Sequence, residues 1–365
     1  MKEETIILKR RKMMFEEGLK YLKNKGKDQV TDESDQVTDE LIELYLKDYD
    51  RGKPKQINGK DGLFYKMIEH ARNRQRISNA VDYKPMKKLD INYDSNIDYE
   101  FCYLNETLFN FDPKKVLNKY RYYNSELQLF NNIKIGISEL SKENPNNQKL
   151  KDLKNRKALN KENPNLWISF SKSIISIAEF LSRFNNIDEF NKFIKGFDID
   201  DKKRIYLALM LGNEIHGYGF ALACDFLKEN CNEKYVKPDT HIIKLFTNRD
   251  IVEKLDLKII QETIDKAKET KDSHKDSQTN SDKNNEKNNK IKSYSTEDQI
   301  EIFRAVIDYS ESIDKLPYEV DKLFWLIGSG KFYRIPDIQE EEVNIKTNIE
   351  DFIEKFSEKL TQEKL

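Results

Sequence analysis

The chain has 365 residues, 37% hydrophobic and 35% charged, and a mean hydropathy of −0.83. That allows one large or two ordinary domains with a sizeable solvated part. Lys+Arg (64) and Asp+Glu (65) nearly cancel to a net charge of −1, which excludes a globally basic surface and confines any nucleic-acid site to a local patch. Cys102, Cys224 and Cys231 make neither a disulfide framework nor a four-thiolate cluster. No apolar run approaches the roughly 18 residues of a membrane span, and Met1-Lys2-Glu3-Glu4 does not open a signal peptide. The expectation is a reduced, cytoplasmic, membrane-free protein, and the scarcity of Gly (12) and Pro (8) predicts an α-rich one.

Residues 1–60 form a charged N-terminal extension in which Asp28-Gln29-Val30-Thr31-Asp32-Glu33 is nearly repeated from Asp35 to Glu40. Two short polar copies are too few for a solenoid. The spacing of Leu63, Phe64, Met67, Ile68 and Ala71 predicts a helix over 61–81 with Asp61 as its N-cap. Its polar second half carries Arg72, Arg74, Gln75 and Arg76. Two readings stand there: phosphate and base contacts, or an exposed helix end bearing dipole-favoured cations. Residues 82–110 look irregular. Asp112-Pro113 is a cap and first-turn pair opening a helical run to 140. Trp167 to Phe184 is amphipathic core, and Asp188 is the expected cap of a short helix holding Phe190, Phe193 and Ile194.

Residues 200–214 are helical, and so are 220–229. Between them lies Ile215-His216-Gly217-Tyr218-Gly219, a helix-hairpin-helix arrangement in which glycines allow a tight turn and close backbone approach. Amides at such a helix N-terminus suit a phosphate. Pro238 ends an extended link, and Asp239 stands at an N-cap position before Ile242, Ile243, Leu245 and Phe246. Residues 268–296 are a polar insertion expected to be disordered, since 268–290 hold no apolar residue to offset the entropy of ordering. Helices over 297–335 complete a core that begins at 61–260, and 336–365 is a charged tail with an amphipathic helix around Ile349, Phe352, Ile353 and Phe356. Trp167, Phe324 and Trp325 are assigned to core, with a place in the lining of a base pocket as the alternative for one of them.

Several motifs fall away. Gly328-Ser329-Gly330-Lys331 lacks the phosphate-loop frame, and Asp198, Asp200 and Asp201 lack the glycine and terminal Glu of a calcium loop. His70, His216, His241 and His274 show no metal-ligand spacing. His241 is taken as a packing and hydrogen-bonding residue rather than a base.

The run Ile215-His216-Gly217-Tyr218-Gly219-Phe220-Ala221-Leu222-Ala223, followed by Pro238-Asp239-Thr240-His241-Ile242, resembles the helix-hairpin-helix DNA glycosylase superfamily of the endonuclease III and adenine glycosylase type. That family carries L-P-G-V-G-x-K-T-A and then V-D-T-H-V. Both glycines, the second alanine and the Asp-Thr-His triplet match in order, and Asp239 follows Ala221 by the family's 18 positions. Phe64 and Gln75 reproduce the family's spacing from an early helix to a glutamine near the flipped base. The resemblance implies an all-α, two-lobed fold and double-stranded DNA as partner, bound by a monomer. It implies Asp239 as catalytic carboxylate. Gly217, Gly219, His216, Tyr218, Gln75, Arg72, Arg74 and Arg76 would face DNA, with a monovalent cation as a candidate occupant of the hairpin. Ala221 replaces the family's lysine, so no Schiff base and no lyase step is expected. His216 replaces a proline, and the four-cysteine iron–sulfur loop is missing. For Asp239 the helix-cap role and the catalytic role are compatible. For His216 and Tyr218, DNA contact and simple exposure both stand. A non-catalytic DNA-binding scaffold and an α-helical interaction protein remain the competing functions.

Overall fold

The computed structural model describes residues 2–27, 38–47, 59–73, 104–143, 145–146, 154, 165–266, 294–332 and 343–362. Helices account for nearly all regular structure in them. Arg74, Gln75, Arg76 and the polar stretch 268–293 lie outside the described residues. The chain divides into two units, Lys53–Phe226 and the combination of Met1–Gly52 with Leu227–Leu365.

The middle unit is built on α3 (Gly59–Arg72), α4 (Pro113–Tyr120), α5 (Ser125–Glu143), α6 (Asn165–Ser182), α7 (Ile187–Lys195) and α8 (Asp201–Glu214), with the first half of α9 (Phe220–Asn230). Helix α6 is its axis and packs on α3, α4 and α5. It can do so because Trp167, Phe170, Ile174, Ile177, Ala178 and Leu181 recur at helical spacing and are all fully buried. Its C-terminal end is closed from α3, where Lys60 Nζ donates to Phe184 O at 2.6 Å.

Local chemistry decides where several elements begin, and two expected caps differ. Helix α3 starts at Gly59, which puts Asp61 in the first turn, where a carboxylate meets the helix dipole without capping. Helix α7 is capped by Asn186, whose side chain accepts from Glu189 N, and Asp188 again falls in the first turn. Asp112 and Pro113 open α4 as expected. The helical run to 140 is broken at residues 121–124, where Asn124 takes a left-handed φ of 58° and starts a new axis for α5.

The second unit contains α1 (Lys2–Lys27), α2 (Asp39–Leu46), the end of α9, α10 (Thr240–Phe246), α11 (Arg249–Leu255), α12 (Thr296–Ser312), α13 (Pro317–Ser329) and α14 (Ile349–Gln362). A short antiparallel pair, β1 (Lys331–Phe332) with β2 (Val343–Asn344), joins α13 to α14. Helix α13 is central, with Val320, Leu323, Phe324, Leu326 and Ile327 fully buried. The N-terminal segment is part of this core. Met13, Met14, Phe15, Tyr21 and Leu22 of α1 are buried, and Gly18 lets α1 approach α13, since a β-carbon there would lie 3.2 Å from Leu323 and Ile327. Arg11 caps the end of α11 by donating to Leu255 O and Asp256 O, both at 2.9 Å. The charge pattern of residues 1–27 concealed this role, because α1 alternates exposed Lys and Glu with a narrow apolar stripe. Within the described residues no helix is long and apolar enough to cross a membrane.

Candidate nucleic-acid interface and carboxylate site

In the middle unit, α8 ends at Glu214, and its cap residue Ile215 still reaches Leu211 O through its N–H at 3.0 Å. Tyr218 N then donates to Ile215 O at 3.1 Å, closing a turn around His216 and Gly217. Gly217 carries φ 81°, the left-handed conformation that a β-carbon penalises. Gly219 is exposed, and Gly212 lets α8 run beside it at 3.4 Å from where a β-carbon would stand. Helix α9 starts at Phe220 without a side-chain cap. The amides of Gly217, Gly219, Ala221 and Leu222 donate to no acceptor among the described residues. Unspent donors at a helix N-terminus, carrying the positive end of the dipole, are suited to an anion.

The turn is clamped from α6. Ser176 Oγ accepts from His216 N at 2.9 Å, Ser173 Oγ donates to His216 O at 2.7 Å, and Ser169 Oγ lies 3.1 Å from His216 Nε2. These serines were not singled out from the sequence. Their signal was Ser169, Ser173 and Ser176 recurring on one side of an otherwise apolar helix. The carbonyls of Ile215, His216 and Gly219 already accept hydrogen bonds, which leaves one lone pair on each for a cation.

His216 is exposed, as a DNA-facing residue must be. Tyr218 is not: its side chain is buried, and its hydroxyl donates to Met67 O on α3 at 2.7 Å. Alternation around the turn points it inward, so it anchors the hairpin and its ring cannot reach a nucleic acid. Arg72 is half-buried at the end of α3. Near it on the same helix His70 is buried, with Nδ1 3.2 Å from Asp225 Oδ2 on α9 and its ring edge-on to Phe226. The corner between α4 and α5 is a further exposed cationic feature. Tyr122 and Tyr123 are 63% and 88% exposed, and the Arg121 guanidinium lies 5.2 Å from the Tyr122 ring. Lys114, Lys115 and Lys119 are exposed on the preceding helix, with no acid between Asp112 and Glu126.

Asp239 belongs to the second unit. It is half-buried and N-caps α10, with Oδ1 accepting from His241 N at 2.9 Å and Ile242 N at 3.1 Å. Oδ2 accepts no hydrogen bond among the described residues. A carboxylate held by one oxygen and bare at the other is both oriented and chemically available. His241 is packed against α13, so closely that a β-carbon on Gly328 would lie 2.3 Å from its ring. Burial pushes the His241 pKa down, and the Asp239 charge pulls it up. Behind this cap lies a residue that was not singled out from the sequence. Asp321 of α13 is 1% exposed, 2.7 Å from Lys228 Nζ, and accepts from Lys237 N. Burial raises its carboxyl to about 6, with Lys228 pulling it back and Asp239 adding to the rise. Its signal was one carboxylate between Val320 and Leu323 in an apolar run.

No family model, no curated protein and no solved structure matches this chain. Among the described residues no cluster of His, Cys, Asp or Glu could hold a metal ion.

Proposed function

We propose that this protein is a monofunctional DNA N-glycosylase that hydrolyses the N-glycosidic bond of a base flipped out of duplex DNA, with Asp239 as the catalytic carboxylate. The observation that carries the reading is the Asp239 side chain itself: Oδ1 is committed to two cap bonds while Oδ2 accepts no hydrogen bond among the described residues. A rigid, half-buried anion stabilises the cationic sugar that forms as the base departs, and it orients water toward C1′. The target base leaves the stack before this chemistry. The α8–α9 turn supports the same reading, because the unspent amides around Gly217 and Gly219 suit a backbone phosphate. Ala221 supplies no amine, so the reaction ends at the abasic site without strand cleavage. The exposed lysines of α4 and the Tyr122–Tyr123 corner supply local cations and stacking surface on a chain whose net charge is −1.

The test is release of free base from a panel of short duplexes, each with one uracil, alkylated purine or oxidised purine. Asp239→Asn keeps a capping side chain but not the charge. Wild-type release from at least one duplex, with a loss of about 100-fold or more in the variant, is expected from the size of such electrostatic contributions. Equal rates for both proteins would refute the mechanism. Duplex binding without release by the wild type would instead favour a non-catalytic DNA-binding protein.

A further inference from the structure

The chain passes from the end of α9 to α10 through residues 231–239, which form no helix or strand. Such a link holds one geometry only where its backbone groups are tied to something rigid. Two bonds from α13 tie this one. Tyr318 N donates to Glu233 O at 3.0 Å, and Lys237 N donates to Asp321 Oδ2. The other oxygen of Asp321 accepts from Lys228 Nζ at 2.7 Å, and the two side chains are 1% and 3% exposed. Lys237 is also held from its far side, since Asp239 N donates to Lys237 O at 2.7 Å. The Lys237 residue is therefore fixed at both peptide groups, two positions before the carboxylate.

A buried ion pair is a poor source of net stability, because desolvation of both charges offsets their attraction and an apolar pair of similar volume does as well. What Asp321 offers beyond stability is a charge-assisted acceptor aimed at a single backbone amide. The cap bonds from His241 and Ile242 fix only Oδ1 of Asp239. The backbone that aims Oδ2 is set by Lys237.

We propose that Asp321, with Lys228 as its counter-ion, is a positioning residue that anchors Lys237 and thereby orients the Asp239 carboxylate for its reaction. The proposal rests on the reading of Asp239 as the catalytic carboxylate.

Two double variants of the full chain test it. Asp321→Leu/Lys228→Met removes both charges and the acceptor. Asp321→Asn/Lys228→Met keeps a weaker, neutral acceptor. Amide hydrogen exchange is followed at Asp239 and Ile242, beside single-turnover base release and affinity for the same duplex. In the leucine variant both amides are expected to exchange about tenfold faster, the worth of one charge-assisted hydrogen bond. Base release should slow by a similar factor with duplex affinity within about twofold, and the asparagine variant should fall between it and wild type in each rate. Wild-type exchange at Asp239 and Ile242 in both variants overturns the proposal, as does unchanged base release in the leucine variant. Absence of base release by the wild type refutes the glycosylase reading, and the exchange rates then decide the anchoring by themselves.

Discussion

Gly328→Ala probes how α10 is seated on α13. A β-carbon at Gly328 would stand 2.3 Å from both Cγ and Nδ1 of His241 and 2.6 Å from its Cβ, against about 3.4 Å for ordinary contact. The imidazole must retreat by about 1 Å. Because the His241 β-carbon is itself in the way, rotating χ1 does not clear the overlap, and either the first turn of α10 or the last turn of α13 has to move. Overpacking of this kind costs about 1–3 kcal/mol. Gly328 lies in the last turn of α13, so the helix propensity of alanine returns at most about 1 kcal/mol. Three atoms at 2.3–2.6 Å place the cost in the upper part of that range, so the net loss is about 1–3 kcal/mol, and in a unit of this size the thermal midpoint falls by about 2–12 °C. Far-ultraviolet circular dichroism through a thermal ramp measures it. Adding His241→Gly removes both the imidazole and its β-carbon, so the double variant should recover most of the loss relative to His241→Gly alone, a coupling of about 1 kcal/mol or more. A wild-type midpoint for Gly328→Ala, or two substitutions whose effects merely add, would refute the packing argument.

Asp321 gives a pH signature. Its carboxyl stands at about 6 in the folded chain against an ordinary 3.8, so the folded state binds the proton more tightly. The contribution is fully present below about pH 4 and is lost as pH rises through about 6, about 3 kcal/mol in all. Glu17, Asp298 and Asp351 are shifted downward and act in the opposite sense, their stabilisation fading as pH falls. Subtracting the unfolding free energy of Asp321→Asn/Lys228→Met from that of wild type isolates the term, and a flat difference between pH 4 and 6 would contradict it. Gly217→Ala places a β-carbon at φ 81° and should cost about 1–2 kcal/mol in a denaturant titration, with Gly219→Ala costing less because its β-carbon meets nothing within 4 Å. Asp239→Ala should lower stability by about 1 kcal/mol through loss of the cap, whereas Asp239→Asn stays within a few tenths. A thermal midpoint equally depressed in both would mean that the charge, rather than the cap bonds, holds the start of α10.

The parts of the candidate site that were legible in the sequence are those with local causes. Asp239 reads as a cap because proline precedes it and an apolar run follows, and it does cap. The turn at Gly217 reads from its glycine and from the helices on either side, and Gly217 is left-handed. Tyr218 did not read correctly, because a residue flanked by exposed positions in a turn looks exposed until a neighbouring helix supplies the Met67 carbonyl. Asp188 looks like a cap as well as Asn186 does, and the competition between such adjacent polar residues is decided by where the preceding chain enters the helix.

The sequence by itself determined that this chain is helical and where most helices lie, since apolar spacing, prolines and capping side chains act within a few residues of one another. It also placed Asp239 at the head of its helix. Tertiary structure alone decided that the charged N-terminal segment joins the C-terminal helices in one core, that Lys228 and Asp321 meet in its interior, and that Asp321 grips the Lys237 amide. Those outcomes pair residues far apart in the chain. A buried charge is tolerable only opposite its partner, and an apolar stripe is stable only against another, so neither can be read until the fold has chosen the neighbours.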